Sequence, residues 1–416
     1  MRTRSAIYLG ILLAVVVCVN WVPEFWPVAL LQVGVFGLGT VWAVRMIRRP
    51  FAVRGSLLLI PFAGIVVLGL LQLLMRTTVY RWASWNYVLH SGAMLLLLLL
   101  SLQIFVDPYV RDNFRRAAFY FGFALAVVAT CQLFTSDGKI FWYFVTKYET
   151  FLMGPFVYRN QYAAFVELLL PVALVMALRD QRRSLPYALM AAAMYASVIA
   201  SASRAGTILV TCEILVVLAL APWRRIAPAR TAGATAGKMA LLLVAFTMVV
   251  GWEVVWNRLM QDDPLKGRRE MTEATVEMVK ARPGVGFGLG TWPNVFPQFA
   301  NFDTGLFVNE AHNDWAQWAA EGGIPMLALM AFIAVWSIRP AFRTLWGIGV
   351  ISVFVHSFVD YLLDDIGVRA LQVVLLGALA ASAHRRRTPV SYSGELKADR
   401  DGETTVDEPV EEEPAE

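Results

Sequence analysis

Charge is what this sequence has least of. Only 16% of its 416 residues are Asp, Glu, Lys or Arg and 58% are hydrophobic, against roughly 45–50% apolar residues in soluble domains. That balance excludes a soluble globular chain. The three cysteines, Cys18, Cys131 and Cys212, all lie within apolar stretches, which excludes a disulfide framework and a thiolate cluster. With four histidines, no HExxH, no CxxC and no dense carboxylate set, no metal site can be read from the chain. The glycine run GVGFGLG at residues 284–290 has no strand pattern before it and no GK[ST] ending. A nucleotide-binding fingerprint is therefore excluded, and a flexible turn beside a substrate groove fits the run better. No internal repeat is visible, which speaks against inverted-repeat transporters.

What the chain has is apolar runs of the length that crosses a bilayer as a helix, about 20 residues. Helices are the only open choice, because an isolated strand leaves its backbone unsatisfied in lipid. The expected fold is all-α and polytopic, with about twelve transmembrane helices near residues 5–22, 26–44, 56–75, 86–106, 116–134, 156–178, 185–202, 205–221, 238–256, 323–338, 344–361 and 366–383. The first run follows Arg2 and Arg4 without a small-residue cleavage site, so it reads as a retained span. Basic clusters fall on alternate connections: Arg45 to Arg54, Arg111 to Arg116, Arg179 to Arg183, Arg224 to Arg230, Arg339 with Arg343, and Arg385 to Arg387. By the positive-inside rule these face the cytoplasm, as do both termini.

The large segment 257–321 and the smaller loop 135–154 are then extracytoplasmic. A polytopic membrane domain over residues 1–389 is followed by an acidic tail, 390–416, whose composition predicts disorder on the cytoplasmic side. Within the large loop, residues 268–281 place Met271, Ala274 and Met278 on one face, which predicts an amphipathic helix at the membrane surface. A second helix is expected to start at Asn309 as N-cap and to end at Gly322.

That second helix would put His312 in its first turn, where the positive end of the dipole disfavours a protonated imidazole. Such a histidine either acts as a general base or merely caps the helix and packs against Trp315 at i+3. The loop also gathers Arg258, Lys266, Arg268, Arg269, Lys280 and Arg282 on a side usually poor in cations. They either bind an anion or balance Asp262, Asp263, Glu270, Glu273 and Glu277 on a solvated surface.

Arg159 and Asn160 open the sixth span, and Arg204 lies in SASRAG between the seventh and eighth. Arginines at such depth either line a cavity, where they can grip phosphate bidentately, or snorkel to headgroups. Glu167, Glu213 and Glu253 lie deeper and are expected to pair with buried polar partners. His356 and Asp360, at i,i+4 in the eleventh run, are placed to hydrogen-bond each other as a structural pair or one that touches substrate. His90 and His384 carry no readable signal.

Six segments occur in a telling order: GPFVYRNQYAAFVELLLPVAL at 154–174, SASRAG at 201–206, GRREM at 267–271, RPGVGFGLGTW at 282–292, EAHNDWAQWAAEGG at 310–323 and HSFVDYLLD at 356–364. Over residues 154–377 the chain thereby resembles the O-antigen ligase and polymerase-like family. The resemblance implies a GT-C-like helical membrane fold. It also implies a glycosyltransferase that moves or polymerises a glycan from an undecaprenyl-diphosphate-linked donor onto a glycan or lipid acceptor outside the bacterial cytoplasmic membrane. By that likeness His312 is the catalytic residue and Arg204, Arg268 and Arg159 bind the diphosphate. Asn160, Asn313, Asp314, His356 and Asp360 are supporting candidates. Glu310 and Trp315 depart from the family's pattern. No metal or other cofactor is implied, and nothing points to nucleic acid. A multispan transporter of a small solute or anion is the alternative, and a non-catalytic envelope scaffold a third reading.

Overall fold

A computed structural model of the chain describes residues 1–146, 152–250, 268–301 and 307–384, and Met1–Ser382 forms one unit of it. Arg258, Lys266, Asp262, Asp263 and Glu253, together with the acidic tail, lie outside the described residues. The fold is all-α: α1 (Arg2–Cys18), α2 (Trp26–Arg48), α3 (Leu59–Leu74), α4 (Arg81–Ile104), α5 (Pro108–Thr135), α6 (Arg159–Arg179), α7 (Ser184–Ala200), α8 (Arg204–Leu220) and α9 (Ala229–Val250). After them come α10 (Arg268–Ala281), α11 (Asp314–Thr344), α12 (Ile348–His356) and α13 (Ile366–His384). A two-stranded hairpin pairs Lys139 with Val145 and Ile140 with Phe144. Six of the described helices are long and apolar enough to cross a membrane: α2, α4, α5, α6, α11 and α13.

A helix sits where each apolar run predicts one, with one informative difference. The eleventh run, 344–361, yields only the nine residues of α12, about 14 Å of helix, too short to cross a hydrocarbon core of about 30 Å. The chain leaves the helix at His356, so Asp360 lies in the loop beyond it.

α6 is the centre of the bundle. It is buried on every face, with 94% of its spanning window inside the protein, and it packs on α5, α7, α8, α9 and α12; a mainly apolar helix covered all round belongs inside a core. α12 approaches it most closely. A Cβ on Gly349 would stand 1.9 Å from the Glu167 carbonyl oxygen, so only glycine permits that crossing.

α11 does not end at Gly322 as expected; it runs on to Thr344 with a break at Gly323 (φ 67°, ψ −167°), a backbone region that favours glycine. The break frees two carbonyls for identifiable reasons. Pro325 has no N–H to offer Glu321, and the Ile324 amide turns away to Pro283 O at 2.8 Å. The glycine run takes up both carbonyls, with Phe287 N donating to Ala320 O (3.0 Å) and Gly288 N to Glu321 O (2.9 Å). Gln72 of α3 adds bonds to Val285 O, Glu321 O and Leu289 N, and the Glu321 carboxylate accepts from Gly290 N and Trp292 N. The run is thus a bonded strap across the break and not the flexible turn its composition suggests.

α10 forms over the predicted residues, but Met271, Ala274 and Met278 pack against Phe287, Trp292, Phe296, Ala311 and Ala320. Its apolar face is covered by protein. On its exposed side Arg269 pairs with Glu273 (3.1 Å) and Lys280 with Glu277 (2.7 Å), the balanced surface expected of mixed charge.

Gly349→Ala should lower the detergent melting temperature, with a loss of roughly 1–3 kcal/mol from overpacking. Gly37→Ala, which meets nothing within 4 Å, should leave it unchanged or raise it, by at most about 1 kcal/mol of helix propensity. Equal melting of Gly349→Ala and wild type would refute the close crossing.

Candidate active site

The α11 N-terminus forms four residues later than the sequence suggests. Asn313, and not Asn309, is the N-cap, its Oδ1 accepting from Ala316 N at 3.0 Å. His312 therefore precedes the helix instead of sitting in its first turn, and it holds a left-handed backbone (φ 51°), a region in which histidine is one of the more tolerated residues. The dipole argument for a neutral imidazole loses its basis. Trp315 does not pack on His312; it stacks on Phe358 and donates to Phe354 O.

Contacts distant in sequence fix that start. Asp314 N donates to Ser357 O (3.0 Å) and Asp360 O (3.2 Å), and the Asp314 carboxylate accepts from Leu362 N and Leu363 N, each at 3.0 Å. The carboxylate is buried and its Oδ2 holds two backbone amides, so Asp314 builds the loop 357–365 around the beginning of α11.

Asp360 is the centre of the constellation, its side chain fully buried. Oδ1 takes His312 Nδ1 at 3.1 Å and Tyr361 N at 3.0 Å. Oδ2 takes the Tyr158 hydroxyl at 3.1 Å and Asn160 Nδ2, with the Arg268 guanidinium 3.4 Å away. Arg268 also donates to the Tyr158 oxygen and to Val359 O. A carboxylate offers about four lone-pair sites, and here the protein fills them. Burial raises the Asp360 carboxyl, but the His312 hydrogen bond and the charges of Arg268, His312 and His356 outweigh it and hold it below the usual carboxylate range.

An ionised Asp360 can only accept, so when the His312 ring carries a single proton it belongs on Nδ1, leaving the lone pair on Nε2. Nε2 makes no hydrogen bond to a described residue, and the His312 side chain is 22% exposed. Tyr361 lies edge-on to the imidazole, with centroids 4.8 Å apart, and stacks on Tyr158.

The expected pairing of His356 with Asp360 is not made. It presumed one continuous helix, whereas α12 stops at His356, whose Nδ1 turns to Glu167 Oε1 at 2.7 Å. Arg159 and Arg204, the first residues of α6 and α8, join Arg268: Arg159 lies within electrostatic reach of Arg268, Arg204 and Asp360. The crossing of α8 on α6 at Gly206 and Ala163 brings these two helix starts together. Arg282 lies apart, over the Phe287 ring and bonded to Thr77 O. Among the described residues no group of three or more His, Cys, Asp or Glu could hold a metal ion.

Tyr158 and Tyr361 were not singled out by sequence reasoning. Each stands inside a quoted motif next to a candidate residue, Tyr158 beside Arg159 and Tyr361 beside Asp360, which was the available signal.

The arrangement is a carboxylate-bound imidazole beside three guanidinium groups, suited to proton removal next to an anionic group. No curated protein matches the chain. Residues 188–331, which include Arg204 and Arg268 and reach through His312 to the broken helix α11, match the family model for O-antigen ligase, Wzy_C.

Proposed function

We propose that the protein is a membrane glycosyltransferase, an O-antigen ligase or polysaccharide polymerase, acting at the outer face of the cytoplasmic membrane. Its donor is a glycan on undecaprenyl diphosphate or a related polyprenyl diphosphate, and its acceptor is a glycan or lipid hydroxyl. The observation that carries the reading is the joint hold of Asp360 on Arg268 and His312, beside the helix starts bearing Arg159 and Arg204. The alternation of basic connections supports an extracytoplasmic site and cytoplasmic termini, in a GT-C-like arrangement where α12 and the loop beyond it together make the eleventh crossing.

In this mechanism His312 Nε2 takes the proton of the acceptor hydroxyl as its oxygen attacks the sugar carbon bonded to diphosphate. The new glycosidic bond forms as the carbon–oxygen bond to diphosphate breaks, and the leaving group departs with the electron pair. Arg159, Arg204 and Arg268 meet the charge that develops on it; planar guanidinium forks suit phosphate oxygens. Asp360 holds the imidazole in the required tautomer and stabilises the imidazolium that forms. Diphosphate is an activated leaving group, so the reaction needs no ATP or metal.

His312→Ala, in proteoliposomes supplied with a lipid-linked glycan donor, should reduce transfer about 10²–10⁴-fold, the usual contribution of a general base. Full transfer by that variant would overturn the assignment. Asp360→Asn keeps the shape but can present an amide N–H to Nδ1 and favour the wrong tautomer; kcat should fall by about 10²-fold or more, with donor KM little changed. Arg204→Ala should lower kcat by about 10²-fold, as loss of one preorganised electrostatic contact does. Wild-type turnover in Arg204→Ala would remove that residue from the diphosphate site.

A further inference from the structure

Behind the Asp360 loop, between α6, α8 and α12, lies a second group of titratable side chains that the proposed chemistry does not use. Glu167 and His356 are joined at 2.7 Å with both side chains fully buried. Glu213 of α8 is buried too, within electrostatic reach of Glu167, with Cys212 and Ser352 beside it. Asp360 and Arg268 are the charged groups that His356 feels from the site. Glu167 Oε2 and His356 Nε2 have no hydrogen-bond partner among the described residues. As a source of stability this is poor design, because an apolar pair of equal volume often does as well or better than a buried ion pair. Ionisable groups kept at such depth are functional by default.

We propose that Glu167, acting through His356, is a positioning residue for the transfer reaction: the pair fixes the end of α12 and with it the loop that presents Asp360 to His312. The inference rests on the reading of His312 and Asp360 given under the proposed function. Its geometry follows from helix periodicity. Asn160 and Glu167 are seven residues apart, about two turns, and so share one face of α6. Asn160 bonds Asp360 and Glu167 bonds His356, so one helix face grips both ends of the segment 356–360. Gly349 seats the body of α12 on the Glu167 backbone.

Between those two grips the chain leaves the helix in a tight turn, with Ser357 N on Val353 O (2.9 Å), Phe358 N on Val355 O (3.2 Å) and Val359 N on His356 O (3.0 Å). Loss of the Glu167 grip frees the end of α12 to rotate, and a misplacement of about 1 Å at a reacting group is enough to cost about a hundredfold in rate.

The test uses the full chain in proteoliposomes with a polyprenyl-diphosphate-linked glycan donor. Replacing the pair together, Glu167→Leu with His356→Leu, removes both charges without orphaning either, so the variant should melt at or above wild type. Its kcat should nevertheless fall by about tenfold or more while donor KM moves by less than about threefold. Glu167→Gln, whose carbonyl still accepts from the imidazole, should restore kcat to within about threefold of wild type. Turnover of the leucine pair within about twofold of wild type overturns the proposal. Should that pair fail to accumulate, Glu167→Ala against Glu167→Gln decides: a ratio of about ten is expected, and one below about two overturns it. His312→Ala in the same preparation separates the two readings. If it is inactive while the leucine pair is fully active, only the positioning role fails; if both are fully active, the catalytic reading fails with it.

Discussion

One buried carboxylate organises the chemistry-bearing end of this bundle. Asp360 is shielded from solvent and surrounded by an imidazole, a guanidinium, a phenol and an amide. An ion in such surroundings persists only if its lone pairs are satisfied, because desolvation otherwise costs several kcal/mol. The satisfaction is mutual: the groups that hold the charge are themselves held. Tyr158 and Asn160 come from the start of α6, Arg268 from the start of α10, and His312 from the residues before α11. Three chain segments far apart in sequence therefore converge on Asp360 because one charge needs them.

The helices supporting that convergence were legible in the sequence, since a run of about 20 apolar residues has few alternatives to a helix in lipid. α10 was legible in its bounds, because Met271, Ala274 and Met278 repeat at helical spacing. Its environment was not: the same stripe would suit lipid or protein, and Trp292 and Phe296, which cover it, come from a segment with no periodicity of its own. Of the residues gathered at Asp360, His312, Arg268 and Asn160 are singled out by sequence reasoning, while Tyr158, Tyr361 and the pairings between them are not.

Two errors show why. Asn309 and Asn313 are both competent N-caps by residue type, and the choice between them was made by Asp314 bonding a loop 48 residues further on. Local pattern carries no trace of such a contact. The i,i+4 spacing of His356 and Asp360 implied a shared helix face, yet α12 closes at His356 and the two side chains turn to different partners, Glu167 and the His312 cluster. Spacing arguments hold only inside an unbroken helix. The glycine run misled in the opposite direction, since composition suggested mobility where released carbonyls in α11 supply a ladder for it to bond.

That break in α11 has a mechanical meaning. With Pro325 offering no amide and Ile324 bonded to Pro283, the regular i to i−4 ladder is interrupted between the short segment after His312 and the long shaft that follows. The segment is held by the glycine strap and the Asp360 loop, and the shaft by its neighbours in the bundle. The imidazole is therefore placed against the carboxylate by contacts with other segments of the chain, and not by the helical ladder of the shaft.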